Sequence, residues 1–168
     1  IRYTAVIRAC EKSKQLEQAL KIFDAMQKKG VLPDLITYSA LISACETGKQ
    51  PGRALDIFKD MQQRGLEPDV ITYNALISAC EKGKQPEQAL AVFVVMEHQG
   101  MERSIITYDA SVSTCEKGEQ PEQAIEIFKA MGRQGLVPDV ISYNALISAC
   151  EKGEQPEQAL EIFKAMGL

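Results

Sequence analysis

The sequence predicts an all-α fold, a right-handed α-solenoid of stacked helix-turn-helix repeats with about five units of 35 residues. Three observations carry that prediction. Tyr3, Tyr38, Tyr73, Tyr108 and Tyr143 recur at that fixed interval, and Cys10, Cys45, Cys80, Cys115 and Cys150 keep the same beat, as do Gly30, Gly65, Gly100 and Gly135. A period of this size marks stacked supersecondary units rather than one globular core. Within each period apolar residues fall at helical spacing, and no strand-like alternation appears anywhere. The units run approximately over residues 1–34, 35–69, 70–104, 105–139 and 140–168, as a single array. The first unit begins at Ile1, inside a helical pattern, and the last stops at Leu168 with no polar capping helix. A solenoid needs capped ends, so the sequence is expected to be a piece of a longer array.

The unit from Val70 to Ser104 shows the elements in order. Tyr73, Leu76, Ile77 and Cys80 lie at i, i+3, i+4 and i+7, one face of a first helix. Gly83 ends it. Pro86 suits the first turn of a second helix, where its missing N–H is no loss. Ala89, Val92, Phe93 and Met96 repeat the apolar spacing, and Gly100 follows where a left-handed C-terminal cap is expected. Neither helix buries its apolar stripe alone. Paired and stacked on neighbouring pairs, both do.

Composition narrows the function. With 19 basic and 23 acidic residues the chain is mildly acidic, which argues against a protein relying mainly on phosphate neutralisation but leaves room for a locally basic surface. The five cysteines are each a full repeat apart, so no disulfide or zinc spacing exists. They read as small buried residues. No apolar run approaches the ~20 residues that span a bilayer, so no membrane insertion is expected. No cofactor, metal site or catalytic constellation is predicted. The recurrent Glu-Lys and Glu-Gln residues read as solvated helix faces, and the chain is not expected to be an enzyme.

The string PDVITYNALISACEKGKQPEQALAVFVVMEHQG, Pro68 to Gly100, resembles a pentatricopeptide repeat of the plain 35-residue type. The tetratricopeptide alternative has a 34-residue unit and a characteristic Trp, and this chain has no Trp. The resemblance covers the whole chain. It implies modular binding of single-stranded RNA, one base per repeat, in a mitochondrion or chloroplast, serving transcript processing, stability or translation. It also implies that first helices line the binding face.

The resemblance assigns base reading to the residue after each repeat Tyr together with the last residue of the repeat. The pairs are Thr4 with Asp34, Ser39 with Asp69, Asn74 with Ser104 and Asp109 with Asp139, while Asn144 opens a fifth pair. The family pattern favours G for the first two and a pyrimidine for repeats three and five. Repeat four departs from it. Asp109 is an acceptor-only carboxylate near a second one, Asp139, and only G offers two adjacent donors, so repeat four reads G or nothing. The implied target is approximately G-G-Y-(G or none)-Y. Asp34, Asp69, Ser104 and Asp139 are also good helix N-caps, and capping alone accounts for them. The varying phase after each Tyr suggests coding, with drift on a solvated face as the alternative. Ile1, Ile36, Ile71, Ile106 and Ile141 are the implied base clamps; core contact between repeats is the competing reading. Lys12, Lys82, Lys117 and Lys152 are the implied phosphate contacts, and each equally suits a helix C-terminus. Thr47 takes that place in repeat two.

The first helices and following turns of repeats one to three carry Arg2, Arg8, Lys12, Lys14, Lys49, Lys82 and Lys84 against Glu11, Glu46 and Glu81, a net +4. Repeats four and five carry Lys117 and Lys152 against Asp109, Glu116, Glu119, Glu151 and Glu154, a net −3. Deviations from the beat cluster between these halves. Val94 and Val95 replace charged or small residues, Arg103-Ser104 replaces the Pro-Asp that ends repeats one, two and four, Ser111 stands at the phase of Leu41, Leu76 and Leu146, and Thr114 where others have Ala. Val94, Val95, His98 and Met101 form a candidate protein-contact patch, against the plainer reading of one degenerate repeat. The alternative function is therefore a non-catalytic α-solenoid scaffold or accessory subunit of a large organellar assembly.

Overall fold

A computed structural model describes residues 2–166. The described residues form ten α-helices and no strand: α1 (Tyr3–Lys12), α2 (Leu16–Lys28), α3 (Leu35–Thr47), α4 (Pro51–Gln63), α5 (Val70–Lys82), α6 (Pro86–His98), α7 (Ile105–Lys117), α8 (Pro121–Arg133), α9 (Val140–Lys152) and α10 (Pro156–Ala165). They divide into two compact units, Ile1–Gly83 and Lys84–Leu168. In the first, α1 pairs with α2 and α3 with α4, and α1, α3 and α5 stack side by side. In the second, α7 pairs with α8 and α9 with α10, α6 packs on α7, and α7 and α9 stack.

The two kinds of helix are buried differently, and the sequence explains why. Second helices carry a one-sided apolar stripe: Leu16, Ala19, Phe23 and Met26 in α2, and Pro51, Ala54, Ile57, Phe58 and Met61 in α4. First helices touch neighbours on several sides and are apolar nearly all round, as in α3 with Tyr38, Ala40, Leu41, Ile42, Ala44 and Cys45 buried. All five cysteines are buried and free, as their phase predicts. Burial pushes the Cys45 and Cys80 thiols up to about 11 and the Cys115 thiol up to about 12, which keeps them protonated and unreactive.

The beat of tyrosines has a direct structural cause. From the second repeat onward each ring meets a phenylalanine from the preceding second helix: Phe23 with Tyr38 at 5.6 Å, Phe58 with Tyr73 at 5.5 Å, Phe93 with Tyr108 at 5.4 Å and Phe128 with Tyr143 at 5.1 Å between centroids. The first three are edge-on, the arrangement the ring quadrupole favours. Gly30, Gly65, Gly100 and Gly135 all have positive φ, so the predicted left-handed cap is present after α2, α4, α6 and α8.

Candidate nucleic-acid interface

Each first helix of the four later repeats opens on an N-cap. The carboxylates of Asp34, Asp69 and Asp139 accept the backbone N–H of Thr37, Thr72 and Ser142 at 2.8, 2.8 and 3.0 Å. Ser104 does the same for Thr107, at 3.4 Å. Capping is thus one duty of all four residues. At Asp34 the Thr37 hydroxyl, outweighing partial burial, holds the carboxyl below its ordinary value.

The caps are tied to the residues after the tyrosines. Thr37 Oγ1 donates to Asp34 Oδ1 at 2.6 Å and lies 2.8 Å from Thr4 Oγ1. Thr72 Oγ1 donates to Asp69 Oδ1 at 2.7 Å and lies 2.8 Å from Ser39 Oγ. Ser142 Oγ donates to Asp109 Oδ1 at 2.5 Å and lies 3.2 Å from Asp139 Oδ1. Three predicted pairs, Thr4/Asp34, Ser39/Asp69 and Asp109/Asp139, are therefore each joined through one buried hydroxyl of the next first helix. The sequence reading missed Thr37, Thr72 and Ser142. Their signal was a hydroxyl residue three places after an Asp cap, a capping pattern that by itself says nothing about the repeat before it. Asn74 and Asn144 lie at the same phase, Asn144 exposed. Asp109 and Asp139 stand in different surroundings. Partial burial pushes the Asp109 carboxyl up, Ser142 opposes this and Asp139 adds to it, whereas hydrogen bonds to Ser142 hold the exposed Asp139 down.

The isoleucines beside these pairs are not core residues. Ile36, Ile71, Ile106 and Ile141 are 54, 67, 70 and 66 % exposed, so core contact between repeats does not explain them. Ile1 lies outside the described residues. Lys12, Lys82, Lys117 and Lys152 are all exposed at the ends of their helices. Lys82 pairs with Glu46 at 2.6 Å and Lys152 with Glu116 at 2.9 Å. Ser78 and Ser148 donate to the same two glutamates at 2.7 and 2.8 Å. Each glutamate thus ties its first helix to the next one, and Thr47 breaks the pattern by offering no cation to Glu11.

The irregular stretch resolves into two features. Val94 and Val95 are 44 and 40 % exposed, beside exposed His98 and half-buried Met101. A cleft of about 500 Å³ between α6 and α8 is lined by Leu90, Phe93, Val94 and Ile127 with Glu126 and Arg133. Arg103, in contrast, is buried. Its guanidinium lies over the Phe93 and Tyr108 rings at 5.0 and 5.3 Å, with Nη1 3.1 Å from Glu97 Oε1. Substituting Pro by Arg here adds a cation to an aromatic pair that the other repeats leave uncharged. Ser111 and Thr114 are buried and satisfy their hydroxyls on backbone carbonyls one turn back, Thr107 O at 2.8 Å and Ala110 O at 2.7 Å.

Among the described residues no cluster of His, Cys, Asp and Glu could hold a metal, and no helix is long and apolar enough to cross a membrane.

Family models match along the chain: the PPR repeat family over residues 1–47 and 103–152, the pentatricopeptide repeat domain over 56–118, and the PPR repeat over 36–66 and 141–167. No curated protein sequence matches. Among solved structures, the maize pentatricopeptide repeat protein PPR10 is 29% identical over 98% of this chain, with a TM-score of 0.71. The chain spans 24% of that protein's length. The same maize protein in complex with an 18-nt psaJ RNA element matches at 25% identity and TM-score 0.71, over 97% of this chain and 24% of that one. The PPR domain of Arabidopsis thaliana protein-only RNase P 1, solved in complex with tRNA, shares the fold at TM-score 0.80, with 19% identity over 98% of this chain and 88% of that one. The 35-residue period, the helical hairpins and the aromatic pairs that join them thus have one explanation: the chain belongs to the pentatricopeptide repeat family and has its α-solenoid fold.

Proposed function

We propose that this chain is a sequence-selective binder of single-stranded RNA that reads one base per repeat and carries no catalysis of its own. Its setting is an organelle, mitochondrion or chloroplast, where it serves transcript processing, stability or translation. One observation carries the reading: in three repeats the residue after the tyrosine and the following N-cap converge on a single hydroxyl, beside an exposed isoleucine that has no core role. Short polar groups on rigid helices next to an apolar side chain suit an unstacked base, with its edge on the polar pair and its face on the isoleucine. The RNA complex of the maize relative supports the partner class. The target is G-G-Y-(G or none)-Y, with Thr4/Asp34 and Ser39/Asp69 reading G, Asn74/Ser104 and Asn144 reading pyrimidines, and Lys12, Lys82, Lys117 and Lys152 contacting phosphate.

Fluorescence anisotropy with labelled single-stranded RNA tests this. The chain is expected to prefer G-G-C-G-C over permuted sequences, with affinity falling as salt rises. Absence of any affinity at low salt removes the reading. The second reading, a protein-binding scaffold in a large organellar assembly, is favoured by one feature, the exposed Val94 and Val95 beside an apolar cleft. Val94→Lys with Val95→Asp should abolish association with such an assembly while leaving RNA binding intact.

A further inference from the structure

A hydroxyl group has one proton to give. Thr37 spends its proton on Asp34 Oδ1 at 2.6 Å, so towards Thr4 it can only accept, and the proton of Thr4 must point at Thr37. Thr72 imposes the same order on Ser39 by donating to Asp69 at 2.7 Å. Thr4 and Ser39 are left with lone pairs facing outward, and their partners are carboxylates. Both members of each pair are therefore acceptors only. In repeat four Ser142 donates to Asp109, with Asp139 also within 3.2 Å, but there both members are carboxylates and accept whatever Ser142 does. Thr37, Thr72 and Ser142 are fully buried, so water does not compete for these protons. Repeat three differs in its cap. Ser104 replaces the carboxylate, and the contact between its hydroxyl and that of Thr107, 3.2 Å, runs in either direction.

Two adjacent acceptors select a base edge with two adjacent donors. Guanine presents N1–H beside its N2 amino group. Adenine puts the N1 lone pair in that place, where it faces a carboxylate. We propose that Thr37 and Thr72 are specificity-determining positioning residues, whose single buried proton fixes the hydroxyl of the preceding repeat's reading pair as an acceptor and so selects guanine. The inference rests on the RNA-binding reading above and extends it to residues that do not touch the base.

The test uses the 168-residue chain and fluorescein-labelled G-G-C-G-C RNA, with the second nucleotide varied to A, C or U. Thr72→Val keeps the shape and the backbone cap to Asp69 but removes the hydroxyl, freeing Ser39 to donate as well as accept. Its preference for G over A at the second nucleotide should fall about tenfold, the worth of one aligned hydrogen bond. Preference at the first nucleotide, governed by Thr37, should stay unchanged, and Thr72→Ser should retain the parental preference at the second. Undiminished discrimination in Thr72→Val overturns the inference. So does a parent chain that binds RNA without preferring G at the second nucleotide. A parent chain that binds no RNA overturns the RNA reading itself, a distinguishable result. If Thr72→Val loses its helical circular dichroism, Thr37→Val gives the same comparison at the first nucleotide, through Thr4.

Discussion

Tyr38 and Tyr108 occupy the same phase of the repeat and are equally buried, yet their hydroxyls fare differently. Tyr38 donates to Asp60, and burial, aided by that bond, pushes its pKa well above the ordinary value. Tyr108 has no partner for its hydroxyl, because Ala130 stands where repeat two has Asp60. Asp60→Ala should therefore cost about 1–3 kcal/mol in urea unfolding by stranding a buried donor. Ala130→Asp should gain about 1 kcal/mol by supplying Tyr108 with an acceptor near Arg103 and Arg133. The sequence shows that position 60 is polar and position 130 is not, but not that either meets a tyrosine 22 residues earlier. Asp109 is a second case. Burial pushes its carboxyl above the ordinary value of 3.8, so the folded state holds the proton more tightly than the unfolded chain. Stability is then lost as pH rises through the window between the ordinary and the raised values. Asp109→Asn should unfold at a higher temperature than the parent at neutral pH, and the difference should vanish once the pH falls below 3.8.

At the scale of elements, glycine does two different jobs. After the second helices, Gly100 and its equivalents take positive φ, as their position in the sequence predicts. After the first helices the expectation of a simple stop is incomplete. Gly83 has φ −86, and the left-handed residue is the next one: Lys14, Lys49, Lys84, Glu119 and Glu154 all lie at φ 53 to 56. A left-handed lysine or glutamate costs energy that glycine would not, so something else must hold the glycine one step earlier. It is a close approach. A Cβ on Gly118 would lie 2.5 Å from Pro86 Cγ, on Gly83 2.4 Å from Pro51 Cγ, and on Gly153 2.3 Å from Pro121 Cγ. The proline that starts one second helix thus packs where the following first helix ends. Gly118→Ala should cost about 1–3 kcal/mol, read by thermal unfolding, because the clash is with a rigid ring. The Gly and Pro phases were visible in the sequence. Their contact was not, since they lie a full repeat apart and local rules assign each a local role.

At the scale of the molecule, charge is divided unevenly between the earlier and the later repeats. The left-handed turn residue is Lys14, Lys49 and Lys84 in repeats one to three but Glu119 and Glu154 in repeats four and five, all exposed. On the RNA-binding reading, Glu119→Lys with Glu154→Lys should raise affinity and steepen the salt dependence by about 0.7 in log–log slope for each phosphate engaged. An unchanged slope would show that these turns lie away from the RNA backbone. The sequence by itself determined the period, the helices and the buried faces, because each follows from spacing within one helix or from equivalence between repeats. Only the tertiary structure decided which distant residues share a proton, that Ile36, Ile71, Ile106 and Ile141 are exposed rather than core, that Lys82 and Lys152 are already paired, and that Arg103 is buried between two rings. The physical reason is common to all four. Helical spacing states which face a residue occupies, whereas burial and bonding depend on what the neighbouring helix brings to that face.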